Sequence, residues 1–267
     1  MIDAVMCVCG EREYFDMADY SIPSFLRANE GTKLVVFSDQ PERLAHLATK
    51  KNLEIRDYKD SVERLVEPYR EYYMKILDES NEAWYNNGVE HEHHWVAALP
   101  VLAERFTDSR MILKIDSDSI FKGDMCIKVI TKLIEQLSAR RELNDMYLVS
   151  RPNNGIIKPY GNEWPGVGFL MWDRYGHFIE EYAKNFDGNE QNTILVELMA
   201  KKNVSAHCFK EWWWHVTYPY WWAKKNGTEF SLDQLGQQYY IHFHGDDLEV
   251  EHNRLETMER VYKEIYG

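Results

Sequence analysis

Apolar residues gather in short runs at 3–9, 33–37 and 53–56, and the stretches of mixed polarity between them are long enough for helices. Runs of this length read as strands buried on both faces. Strands alternating with helical segments build βαβ units and a mostly parallel sheet. From 91 to 106 the spacing changes: Val96, Leu99, Leu102, Ala103 and Phe106 follow a 3.6-residue period, which predicts an amphipathic helix that Pro100 kinks or delays. A fourth strand is expected over Met111–Ile115. Beyond it the pattern predicts a helix at 125–141, a strand at 146–150, and a Gly/Pro/Asn-rich connection at 151–165 free of regular structure. An apolar run at 167–172, helices at 174–186 and 190–201, strands at 204–208 and 239–243, and a charged helix from about 253 complete the order. No internal repeat or linker interrupts it, so one domain over 1–267 is expected.

Composition narrows the classes. The 267 residues carry 31 Lys+Arg against 44 Asp+Glu, a formal charge of −13 that repels phosphate backbones and argues against a nucleic-acid partner. At 45% hydrophobic the chain has enough apolar surface for a core, which excludes disorder as the main description. No run approaches the ~18 apolar residues of a membrane span, and Asp3, Glu11 and Glu13 stand where a signal peptide would be basic and then apolar. A cytoplasmic location is the expectation. The four cysteines form no CxxC, so neither a disulfide nor a zinc site is assigned.

The chemistry concentrates in Met111-Ile-Leu-Lys-Ile-Asp116-Ser117-Asp118. Two carboxylates stand where a buried strand leaves the sheet, the edge at which open α/β sheets bind ligands. Left alone, such anions repel; a divalent cation satisfies both and can also hold a diphosphate. Oxygen donors suit Mn²⁺ or Mg²⁺. A solvated Asp-rich turn ending a strand accounts for the same two residues, and the pair alone leaves both readings open.

In this context the chain resembles the GT-A glycosyltransferases, whose DxD motif follows a hydrophobic strand about a hundred residues into a nucleotide-binding half. Asp116-Ser117-Asp118 matches in spacing and setting. Pro165-Gly166-Val-Gly168-Phe-Leu-Met-Trp172-Asp173 looks like the glycine-bearing segment and strand that border the donor sugar. Gly188-Asn-Glu190-Gln191 is similar to the acidic-amide pair that starts a helix beneath the anomeric carbon in retaining families resembling glycogenin and bacterial galactosyltransferases, with Glu190 in place of Asp. Tyr239-Tyr-Ile-His242-Phe-His244-Gly245 resembles the late strand whose His, three residues before a Gly, completes the metal site. The resemblance implies His242 as the third ligand, although His244 shares its strand face and stays an alternative. The family's Lys-Pro-Trp tail is replaced by Asp246-Asp247-Leu248, leaving Lys75, Lys122 or Lys224 as cations for the diphosphate.

The resemblance implies an α/β GT-A fold, with a nucleotide-binding half over 1–122 ending in the DxD and an acceptor-binding half over 123–267. It implies a metal-dependent transferase that takes a sugar from a nucleoside diphosphate sugar, UDP-linked in preference to GDP-linked, to a glycan or other hydroxyl. Val8, Cys9, Tyr14 and Asp39 fall where such enzymes seat base and ribose. Retention places Glu190 or Gln191 beneath the reacting carbon; inversion makes Glu190 or Asp173 the base.

Five of the nine tryptophans lie within Glu211-Trp212-Trp213-Trp214-His215-Val-Thr-Tyr-Pro-Tyr-Trp221-Trp222. Aromatic faces with polar neighbours suit a sugar, and core packing takes up such rings equally well; Glu211, Trp213, Trp214, His215 and Trp221 are the acceptor-side candidates. His91-Glu92-His93-His94 fails the HExxH spacing and reads as an exposed helix start. Two rivals stand beside the transferase. One is a haloacid-dehalogenase-like phosphohydrolase with Asp116 as nucleophile and Asp118 as acid; the other is a non-catalytic carbohydrate-binding protein built on the aromatic segment.

Overall fold

A computed structural model describes residues 2–85, 94–123, 126–152, 163–202, 204–209, 240–243 and 254–267. The first apolar run forms β1 (Ile2–Val8), buried along its whole length. α1 (Arg12–Ala28) follows and returns the chain to β2 (Lys33–Ser38). A 3₁₀ segment (Pro41–Leu47) leads to β3 (Leu53–Asp57). Next come α2 (Tyr58–Glu63), capped by the Asp57 carboxylate on Asp60 N–H, then α3 (Tyr69–Tyr85) and α4 (His94–Phe106), which keeps Pro100 inside it. β4 (Met111–Ile115), a short β5 (Ser119–Phe121), α5 (Cys126–Arg140) and β6 (Met146–Pro152) continue the order. β7 (Glu163–Asp173) and α6 (Phe178–Asn185) precede α7 (Glu190–Asn192), which runs into a π-helical stretch, Thr193–Lys202. β8 (Ala206–Phe209), β9 (Tyr240–His242) and α8 (Arg254–Tyr266) complete the elements.

The seven-stranded sheet has the order β3-β2-β1-β4-β7-β6-β8. All its pairings are parallel except those of β7, which runs against both β4 and β6. Alternating side chains bury both faces. Val5, Val35, Ile112, Leu148 and Leu170 join the core under α3, α4 and α6. Ala4, Val36, Leu113 and Tyr147 join the core under α1 and α5. The strand order reverses between β1 and β4, so the crevice of this sheet opens beside the carboxyl ends of those two strands. There a second, two-stranded antiparallel ladder pairs β5 with β9.

Two expectations need correction. The segment 151–165 is not free of regular structure at its ends. β6 reaches Pro152 and β7 starts at Glu163, because the ladder between them pairs backbone groups whatever the Gly and Pro content, with a register shift at Leu148/Val149 that puts Gly166 opposite Val149. The helix predicted from 174 starts only at Phe178. Arg174 is drawn away to the carbonyls of Ser109, Glu104 and Thr107, and Gly176 N–H donates to the Asp173 carbonyl in a turn. No described helix is long and apolar enough to cross a membrane.

Candidate metal centre and active site

β4 carries its chain out of the sheet at Asp116, whose N–H donates to the Gly168 carbonyl on β7 at 3.1 Å. The turn Asp116-Ser117-Asp118 then enters β5. It is held by Ser119 Oγ on the Asp116 carbonyl at 2.6 Å and by Phe243 N–H on the Asp118 carbonyl at 2.8 Å. The β5–β9 register sets Ser119 opposite His242, which is how an imidazole far along the chain arrives beside the doublet. His242 Nε2 lies 2.9 Å from Asp118 Oδ1 and 3.5 Å from Asp116 Oδ2. One donor atom from each of Asp116, Asp118 and His242 falls within 4.8 Å of the others. Tyr240 stacks on the His242 ring, and its hydroxyl donates to the Gly168 carbonyl at 2.9 Å, fixing β9 against β7.

The residues fit a hard divalent cation: two carboxylates and an imidazole at the mouth of a crevice. Gly168 supplies an independent observation. A Cβ there would stand 2.7 Å from Asp116 Oδ2 and 2.7 Å from His242 Cε1, so the group packs against bare backbone.

Two cations complete the electrostatics, and neither stood out in the sequence. Lys114 shares the β4 face of Asp116. Its side chain is 1% exposed, with Nζ 3.1 Å from Asp116 Oδ1 and 3.0 Å from Glu190 Oε2. Burial alone would lower its pKa, but Asp116 and Glu190 outweigh burial and hold the ammonium above the usual lysine range. Burial pushes the Glu190 carboxyl up to about 7, with Asp116 adding to the rise and Lys114 opposing it. Glu190 Oε1 is buried without a hydrogen-bond partner among the described residues. Arg254, opening α8, reaches Asp118 Oδ2 at 3.5 Å and Glu13 at 3.3 Å and lies over the Tyr14 ring. The only signal for Lys114 was a lysine inside an otherwise apolar strand.

The other sequence-selected residues divide. Val8 and Cys9 are buried at the end of β1, with Cys9 Sγ 3.4 Å from Cys7 Sγ. Asp39 closes the end of β2 by accepting from Gly10 N–H at 3.3 Å. Tyr14 joins the group through Arg254, whereas Lys75 donates to the Lys184 carbonyl where α3 meets α6. Ser117 is buried inside the turn, and Gln191 follows Glu190 in a helix capped by Asn189 on Asn192 N–H. Asp173 is a correction. Because β7 is antiparallel, Asp173 pairs with Met111 at the start of β4, about 17 Å of strand from Gly168, where Arg110 grips it bidentately. It cannot act as a base beside Asp116. His94 opens α4 half-buried against Trp95 rather than exposed. Glu211, Trp213, Trp214, His215, Trp221, Lys224 and His244 lie outside the described residues, as do His91–His93.

No family model matches the sequence, and a search of curated proteins finds no match. Solved structures do match. Apo mouse xyloside xylosyltransferase 1 superposes with a TM-score of 0.55 at 12% identity, over 92% of this chain and 98% of that one. The glycosyltransferase GlyE of Streptococcus pneumoniae superposes at 0.51 with 13% identity, over 98% of this chain and 61% of GlyE. The chain has the GT-A-like fold of these glycosyltransferases. At such identities the likeness concerns the fold; the chemistry has to be argued from the side chains.

Proposed function

We propose that the chain is a metal-dependent glycosyltransferase that moves a sugar from a nucleoside diphosphate sugar, UDP-linked in preference to GDP-linked, to a hydroxyl of a glycan or other acceptor. The observation that carries this reading is the convergence of Asp116, Asp118 and His242 at the switch point of the sheet. Residues 1–122 serve the nucleotide and 123–267 the acceptor.

Asp116, Asp118 and His242 would hold Mn²⁺ or Mg²⁺. When bound, the ion supplies positive charge to the diphosphate as the bond to the sugar breaks. Arg254 adds a cationic group on the outer side of Asp118. The bare backbone at Gly168 leaves room for Asp116 and His242 to face one another, and with Gly166 it borders the donor sugar. Glu190 and Gln191 stand at the helix start that serves the reacting carbon in a retaining reaction. The aromatic residues Trp213, Trp214 and Trp221, with Glu211, His215 and His244, are assigned to the acceptor.

The test is a panel of UDP- and GDP-sugars incubated with the protein and Mn²⁺, read by release of nucleoside diphosphate. UDP-xylose belongs in it because one neighbour in fold is a xylosyltransferase. Metal-dependent release from at least one sugar nucleotide is expected, with the α-anomer of the product by NMR if an α-linked donor is retained. Turnover of p-nitrophenyl phosphate with no sugar-nucleotide cleavage would replace this reading with phosphoester hydrolysis.

A further inference from the structure

The Lys114–Glu190 pair takes no direct part in the proposed metal site, yet it is tied to it. Lys114 is the lone charge inside the apolar strand β4, and its buried ammonium contacts two carboxylates, Asp116 and Glu190. It approaches Asp116 through Oδ1, while the oxygen that faces His242 is Oδ2. Asp116 thus has one oxygen on a fixed cation and the other turned toward the metal group. Glu190 spends one oxygen, Oε2, on the same ammonium.

We propose that Lys114 and Glu190 are positioning residues for the metal centre: Lys114 orients Asp116, and Glu190 draws off part of the lysine's charge so that Asp116 remains a strong ligand. This deepens the glycosyltransferase reading and rests on it. The physical ground is competition for one buried cation. If Glu190 loses its charge, the ammonium bears more strongly on Asp116, whose affinity for a second cation then drops. If both partners lose their charges together, Asp116 is released from the lysine and its pull on the metal returns. Replacing a whole buried ion pair by apolar side chains of similar size is also often neutral for the fold, unlike removal of one partner.

The experiment measures Mn²⁺ affinity of the full chain without nucleotide, by electron paramagnetic resonance of the free ion. Glu190→Gln is expected to weaken binding about tenfold, the scale of a lost outer-shell partner. Lys114→Met/Glu190→Met is expected to bind within about twofold of the wild type or more tightly, a rescue that loss of packing cannot produce. A double variant as weak as Glu190→Gln, or weaker, overturns the proposal, as does Glu190→Gln with unchanged affinity. If the double variant does not fold, Lys114→Arg/Glu190→Gln replaces it: retaining the cation should keep the tenfold loss, and wild-type affinity there overturns the proposal. No Mn²⁺ binding by the wild type would overturn the metal-site reading itself, a failure distinct from wild-type binding without the coupling.

Discussion

The two edges of the central sheet use their charged groups to opposite ends. At the edge where β1, β4 and β6 begin, the carboxylates of Asp3, Asp145 and Asp173 are answered by the chain itself. Asp3 accepts from the N–H groups of Asp108 and Ser109, and Asp173 takes Arg110 bidentately. Asp145 accepts from Ser205 and His177, and Arg174 ties the end of α4 to this edge through three carbonyls. At the opposite edge Asp116, Asp118 and Glu190 crowd around two cations and an imidazole, and Glu190 Oε1 finds no hydrogen bond among the described residues. One edge is closed by hydrogen bonds and serves stability. The other gathers three carboxylates in one place, with one buried oxygen lacking a hydrogen bond among the described residues, which suits the cation and diphosphate proposed for it.

Substitutions should separate the two edges. The largest effect is expected from Asp118→Asn, which should lower metal-dependent release of nucleoside diphosphate at least about 100-fold, some 2.7 kcal/mol of barrier. Its melting temperature should stay within about 2 °C of the wild type, because relieving carboxylate crowding offsets the weakened contact to Arg254. An equal loss of activity and stability would mean that Asp118 belongs to the structural edge after all. Gly168→Ala comes next. The added methyl overlaps Asp116 and His242, so Mn²⁺ affinity should fall about tenfold while far-ultraviolet circular dichroism is unchanged. Asp173→Asn should show the reverse pattern, costing about 1 kcal/mol in urea denaturation with no change in Mn²⁺ affinity.

The smallest effect concerns pH. Burial pushes the Asp145 carboxyl up, but the Ser205 hydroxyl and the N–H groups of Ser205 and His177 outweigh burial and hold it below the usual carboxylate range. Its contribution to stability is therefore present above the ordinary value near 3.8 and lost as pH falls through the depressed folded value. Asp145→Asn should be less stable than the wild type at pH 6, with the gap closing as denaturation curves are taken toward pH 3. A gap independent of pH would remove the carboxylate's charge from the account.

Much of the fold was legible because it is written in local pattern. The runs of β1, β2 and β4 are continuous and almost wholly buried, and the doublet directly after β4 fell where a parallel strand must end. What the pattern lacked was direction and long-range pairing. Asp173 follows Gly168 closely in sequence, yet the reversed strand carries it to the far edge. β5 is three residues long, too short for alternation to mark, so the ladder that delivers His242 could be reached only through family resemblance. Lys114 sits in plain view within an apolar strand, but its partner Glu190 lies 76 residues on, and Arg254 is 136 residues from Asp118. Ion pairs over such separations leave no periodic trace.

The most direct measurement is calorimetric titration of UDP into the wild type, Asp116→Asn, His242→Ala and Asp173→Asn, each with and without Mn²⁺. The ion should tighten UDP binding by the wild type and Asp173→Asn at least about tenfold, or 1.4 kcal/mol, and should do nothing for the other two. Nucleotide affinity indifferent to Mn²⁺, or an ion effect that survives loss of Asp116 and of His242, would contradict the claim that these side chains meet on one cation.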